Sequence, residues 1–202
     1  AGGGEGFAVG ADLGSLPEIS RLFRECDAAF LQRTGKAELD ILVNNAGIGL
    51  VGTVDQTTEE MFDRQFDINV KGLFFVTQNA APRLRPGGRI VNLSSLVALR
   101  AYPDCAAYAA TKGAVNSLTM AFASQFGNRG ITVNAVAPGM TATDFVASYM
   151  GDENYVQLVK STTALGRIGA SEDIAGVVAA LVSRDSGWVT GQTIYATGGM
   201  QL

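Results

Sequence analysis

In 202 residues the chain carries a net charge of −4, with 47% hydrophobic and 17% charged residues, enough for one domain's core and without the basic footprint of a nucleic-acid binder. No apolar run reaches the roughly 20 residues that span a bilayer, and Ala1 to Gly6 has no basic stretch followed by an apolar one, so no membrane association and no signal peptide are expected and a cytoplasmic protein is. Histidine is absent, which excludes a Ser-His-Asp relay or a His-ligated zinc centre within the chain, and Cys26 and Cys105 are spaced for neither a metal knuckle nor a redox pair, so no metal site is expected.

Phe7 to Asp12 reads as a short strand. Ser15-Leu-Pro-Glu18 has the form of a capping box with proline in the first turn, opening a helix that carries Leu16, Ile19, Phe23 and Phe30 toward Gly35. Leu39 to Asn44 is a continuous apolar strand, followed by Asn45, Ala46 and Gly47. Thr57 or Thr58 then caps a long helix with an acidic first turn that ends before Pro86-Gly87-Gly88. Asn69 falls inside it, where asparagine is a poor residue, and predicts a kink. Arg89 to Ser95 is the next strand, then comes an alanine-rich helix through Tyr108 to about Phe126, and Ile131 to Ala137 is again a strand. Met140 to Arg167, with Phe145, Val146, Tyr149, Met150, Tyr155 and Leu158, reads as a mobile lid over an apolar pocket. Ser171 opens the last long helix and Thr193 to Tyr195 forms the last strand. Alternating strands and helices predict an α/β fold, a doubly wound parallel sheet in one domain over residues 1–202.

The chemistry concentrates in Tyr108 and Lys112. Four apart on a helix, they share one face, so the ammonium can approach the phenol oxygen, favour its charged form and bring its proton exchange toward neutral pH. Ser95, closing an apolar strand thirteen residues earlier, can hydrogen-bond an oxygen whose charge changes during reaction. A Tyr-x-x-x-Lys pair alone is common on helix surfaces; its companions give it weight. These are Leu39-Asp-Ile-Leu-Val-Asn-Asn-Ala-Gly47, Asn69-Val-Lys-Gly72, Ile131-Thr-Val-Asn-Ala-Val-Ala-Pro-Gly139 with Thr141 and Thr143, and Thr190-Gly-Gln-Thr-Ile-Tyr-Ala-Thr-Gly-Gly199.

In this order, over essentially the whole chain, they resemble the short-chain dehydrogenase/reductase family. The resemblance implies a Rossmann-like fold and an NAD- or NADP-dependent oxidoreductase that interconverts a ketone and a secondary alcohol. It assigns catalysis to Asn69, Ser95, Tyr108 and Lys112, with Tyr108 as general acid/base and Asn69 holding water that links Lys112 to solvent. It assigns cofactor contacts to Asp12, Leu13, Asn45, Ala46, Gly47, Tyr108, Lys112, Pro138, Gly139, Thr141 and Thr143. The ordinary alternatives are a turn cap for Asp12 and helix caps for the threonines. Thr111, where serine is common, stands apart from the proposed chemistry.

The family normally begins with a strand, a glycine-rich turn, a helix and a second strand, and this chain starts after them; we expect the 202 residues to be part of a longer protein. Without those strands Phe7–Asp12 lacks a neighbour. The detailed similarity is greatest to 3-oxoacyl-carrier-protein reductases, for which Arg83, Arg85 and Arg100 are candidates for a basic docking patch; polyol, steroid and quinone reductases of the same branch stay open. Two other classes remain as alternatives, a non-catalytic or truncated binding or regulatory protein and a sugar-nucleotide epimerase or dehydratase. Phe74, Phe75, Phe122 and Phe126 suggest a helical interface, the segment from Thr193 to Leu202 another, and family members are mostly tetramers, so a homo-oligomer, dimer or tetramer, is expected.

Overall fold

The computed structural model describes residues 4–100 and 102–200. In chain order these form α1 (Leu16–Thr34), β1 (Leu39–Asn44), α2 (Glu59–Phe66), a π-helical turn (Asp67–Gly72), α3 (Leu73–Ala80), β2 (Leu84–Leu93), α4 (Ala106–Phe126), β3 (Thr132–Pro138), α5 (Ala147–Met150), α6 (Glu153–Ser161), α7 (Ser171–Val182) and β4 (Thr193–Ala196). The four strands make one parallel sheet in the order β1-β2-β3-β4, with Val43 opposite Val91, Asn92 opposite Ala135 and Val136 opposite Ile194.

Strand side chains alternate between two covered faces, as the pleat requires. Ile90 and Val133 pack with Leu73 of α3 and with Val115, Phe122 and Phe126 of α4. Val91 and Val136 point the other way, onto Leu181, Ile174, Val177 and Val178 of α7. Helix α1 lies outside α3, with Ile19 and Phe23 against Val76 and Ala80. Strand β1 lies at one end of this four-stranded order, and its Ile41 and Val43 are 45% and 41% exposed.

Several expected local features differ. Residues 7–12 form no strand: no ladder partner lies beside them, so Phe7 instead packs edge-on against Phe30 of α1 with Arg33 over its ring. Ser15 stands at the cap of α1 without a side-chain cap bond, and Glu18, the box's second member, pairs with Arg21 at 2.7 Å instead of reaching back to it. Thr58 does cap α2, accepting from Met61 N. The long helix stops at Ala80, short of Pro86. Pro82 has no N–H to continue the ladder, Arg83 N turns back to Ala80 O, and Arg83 O already receives Leu39 N at the start of the sheet. Phe122 and Phe126 belong to the core and not to a surface. Residues 201–202, the end of the expected second interface, lie outside the described residues.

Candidate active site

At the carboxyl ends of β1, β2 and β3 the chain leaves the sheet in three loops, and the candidate residues gather there. Asn69 does so through an irregularity. It sits in the π-helical turn, 1% exposed, where one wide turn aims its amide at the loop after β1. Its Nδ2 donates to Ile48 O and its Oδ1 accepts from Ile48 N, both at 2.8 Å. Four residues earlier Gln65, fully buried, accepts from Leu50 N at 3.0 Å. The loop is thus held at two points from one helix face. Asn69 Nδ2 also donates to Thr111 Oγ1 at 3.1 Å, and Thr111 in turn donates to Tyr108 O. Thr111 therefore does touch the site: it ties the π turn to α4, contrary to the sequence expectation.

Tyr108 and Lys112 lie one turn apart on α4, as their spacing requires, and the ammonium is held on the main chain. Lys112 Nζ donates to Leu93 O at 2.7 Å, at the end of β2, and stands 5.6 Å from the centroid of the Tyr108 ring. The side chain is 4% exposed, and burial pulls its pKa down to about 8. Burial likewise pushes the Tyr108 phenol up to about 12; a hydrogen bond with Ser95 works against that rise, and neighbouring Cys105 adds to it. The lysine, held on a main-chain carbonyl, adds no resolved lowering of the phenol's pKa. At neutral pH Tyr108 is a protonated donor beside the Ser95 hydroxyl. Ser95 Oγ also accepts from Val97 N.

Beneath these residues runs a buried polar ladder that periodicity does not reveal. Asn44 Nδ2 donates to Asn92 Oδ1 (2.8 Å) and to Thr77 Oγ1 (3.0 Å), and Asn92 Nδ2 donates to Thr119 Oγ1 (2.9 Å). It joins β1, β2, α3 and α4 just below the strand ends that carry Asn45 and Ser95.

Of the expected cofactor residues, Asn45 and Ala46 are exposed at the end of β1 and Gly47 is half-buried. A Cβ on Gly47 would lie 3.2 Å from Asn69 Oδ1 and 3.4 Å from Lys112 Nζ. Asp12 is in a turn, where its carboxylate accepts from Gly14 N (2.9 Å) and pairs with Arg64 (3.2 Å), and both partners hold its pKa below the usual carboxylate value. Leu13 packs under α1 and α3. Pro138 ends β3, Gly139 N donates to Ala196 O, and Gly139 backs against Thr197. Thr141 Oγ1 donates to Gly139 O and Thr143 Oγ1 to Thr141 O, so neither hydroxyl caps a helix. The lid segment returns along 140–142 to pair with Gly169, and Phe145 from its 144–146 turn reaches Tyr108 and Gly49. The Tyr149 side chain lies outside the described residues. Arg83 and Arg85 are at the opposite end of β2, engaged by Asp27 and by Asp40 and Glu38, so they form no docking patch beside the site.

Residues 1–201 match a family model described as enoyl-(acyl carrier protein) reductase. A hydroxynaphthalene reductase-like protein of Metarhizium guizhouense is 41% identical over 209 residues, covering 98% of this chain and 76% of that protein. A 3-oxoacyl-[acyl-carrier-protein] reductase of Staphylococcus aureus is 38% identical over 204 residues, covering 100% of this chain and 80% of that one. Among solved structures, an angucycline C-6 ketoreductase with bound NADP superposes with a TM-score of 0.92 at 39% identity, over 98% of this chain and 77% of that chain.

Proposed function

Since the chain belongs to the short-chain dehydrogenase/reductase family, we propose that Asn69, Ser95, Tyr108 and Lys112 carry out the family's NAD(P)-dependent interconversion of a ketone and a secondary alcohol. The bound nicotinamide cofactor supplies the hydride. Tyr108, a neutral phenol at physiological pH, donates its proton to the carbonyl oxygen as negative charge develops there, and Ser95 donates a second hydrogen bond to the same oxygen. Lys112 and Asn69, joined to Tyr108 through α4 and Thr111, hold the acid in place and lie on the route by which its proton is restored.

The observation that carries this assignment is the buried Lys112 ammonium at the foot of the cleft. Nζ has three N–H donors, and among the described residues Leu93 O is its recorded acceptor. Gly47, bare beside it, leaves room for sugar hydroxyls to meet the others. The residues present therefore fit a nicotinamide nucleotide. Asp12, Leu13, Asn45, Ala46, Pro138, Gly139, Thr141 and Thr143 are the proposed remaining contacts along the same strand ends.

The setting is proposed as cytoplasmic, in keeping with two free cysteines. No described helix is long and apolar enough to cross a membrane. An apolar groove between α2–α3 and α4, lined by Phe66, Val70, Phe74, Phe75 and Leu118, supports a homo-oligomer, dimer or tetramer. The test is titration of NADH and NADPH by fluorescence, followed by nucleotide oxidation with a panel of ketones, with sedimentation on the same sample. Binding and turnover that vanish together in wild-type protein would sink the enzymatic assignment; turnover that survives Tyr108→Phe would sink the role of Tyr108.

A further inference from the structure

Phe145 meets the site in a way that its sequence position does not announce. The 144–146 turn directs the ring across the cleft, so that a Cβ on Gly49 would lie 2.5 Å from Phe145 Cζ and within 3.4 Å of Cε1 and Cε2. The tip of the ring therefore occupies the notch that any side chain at 49 would fill. Its flank lies against Tyr108, with ring centroids 5.9 Å apart and planes tilted by 40°, a favourable aromatic pair. Held at tip and flank, the ring is still 52% exposed. A large apolar surface thus stands bare immediately beside the proton donor.

We propose that Phe145 is a specificity-determining residue: seated by Gly49, its ring and that of Tyr108 form one aromatic wall, which selects fused-ring aromatic ketones over aliphatic 3-oxoacyl thioesters. This rests on the ketoreductase reading above. Two further observations point the same way. Of the three arginines that could dock an acidic carrier, Arg83 and Arg85 are spent on carboxylates at the far end of β2, which leaves Arg100 alone, exposed beyond the site end of that strand. Proteins about as similar to this chain as the bacterial 3-oxoacyl reductase are a hydroxynaphthalene reductase-like protein and an angucycline ketoreductase, both named for fused-ring compounds.

Gly49 makes the wall testable without deleting it. In Gly49→Ala the new methyl displaces the free end of the Phe145 side chain and leaves the backbone in place. The variants Phe145→Ala, Phe145→Tyr, Gly49→Ala and the double Phe145→Ala/Gly49→Ala are compared with wild type in two readouts. One is binding of 2-naphthol, followed by its own fluorescence in the presence of oxidised nucleotide. The other is kcat/KM for 2-tetralone and for an acetoacetyl thioester. Losing one aromatic pair is worth about five- to tenfold, so Phe145→Ala and Gly49→Ala should each weaken naphthol binding and raise KM for tetralone by about that factor. The thioester should change little, Phe145→Tyr should behave as wild type, and the double variant should be no worse than either single one.

Equal losses on both substrates, multiplying losses in the double variant, or tighter naphthol binding in Phe145→Ala would overturn the wall, the last by making the ring a plug. Wild-type protein that oxidises no nucleotide with any ketone would instead refute the ketoreductase reading, while the naphthol arm would still decide whether Gly49 seats Phe145.

Discussion

Asn69 and Ile48 exchange two hydrogen bonds, side-chain amide against main-chain amide, each 2.8 Å long, with Asn69 itself 1% exposed. One side chain thus acts as a strand would, supplying a donor and an acceptor to a loop that has left the sheet. Asn69→Asp keeps the size and the acceptor but loses the donor, leaving Ile48 O facing a carboxylate. A stability loss of about 2 kcal/mol is expected, together with a loss of activity larger than that seen for a change at an exposed position of the same helix. Urea unfolding and kcat/KM on the same preparations check both, and a variant with wild-type activity would contradict the clamp.

For Tyr108→Phe the loss should fall on kcat, by about a thousandfold, the scale of a missing general acid. Nucleotide binding should stay close to wild type. The same variant tests the raised pKa. Because the folded-state value, about 12, lies above the ordinary 10, the folded protein holds the phenolic proton through that window and its stability falls as pH rises from 10 to 12. Ultraviolet difference titration of the folded protein should show a late-titrating phenol that disappears in Tyr108→Phe.

Lys112 has the opposite sign. Its folded-state pKa of about 8 lies below the ordinary 10.5, so burying the charge costs stability fully below pH 8, and the cost fades as pH rises through that window. Lys112→Met should therefore stabilise the protein near pH 7, by an amount on the order of 1 to 3 kcal/mol once the lost bond to Leu93 O is counted. The advantage should shrink toward pH 10.5 while activity is lost throughout. Thermal unfolding of both proteins across pH 6 to 10.5 decides it; a destabilised variant at pH 7 would mean that the Leu93 bond outweighs desolvation.

The polar ladder gives a fourth expectation. Asn92→Leu removes one of the two acceptors of Asn44 Nδ2 and the donor to Thr119 Oγ1 in the core and should cost about 2 to 4 kcal/mol. Asn134→Leu, on the other face of the sheet, should act independently, since its partners Val189 O and Gln192 N lie under α7. Additive losses in the double variant, read from urea midpoints, are the expected outcome.

What could be read in advance follows the range of the interaction. Tyr108 and Lys112 share a helix face through spacing alone, and the caps and strands around them depend on a few neighbouring residues. The grip of Leu93 O on Lys112, the Thr111 bond to Asn69, the second clamp at Gln65 and the meeting of Phe145 with Gly49 join segments far apart in the chain, and no local pattern encodes them. Phe7–Asp12 shows the converse: its pattern suits a strand, but a strand exists only where a neighbour accepts its hydrogen bonds. Phe122 and Phe126 read as surface because their helix is apolar nearly all round, and only packing shows which side meets the sheet.

The outer flank of β1 has a consequence for handling the protein. Among the described residues β1 pairs only with β2, and Ile41 and Val43 are exposed on it, so in these 202 residues alone its other side offers unpaired backbone groups to an approaching strand. Asp40, with Arg85 beside it, puts charge on that edge at its amino-terminal end and leaves the apolar stretch toward Asn44 unguarded. Produced as these 202 residues alone, the chain should therefore adhere sheet to sheet in crowded solution; a lysine introduced at Val43 should raise the concentration at which its turbidity sets in, whereas in a longer chain a strand paired with β1 would remove the effect.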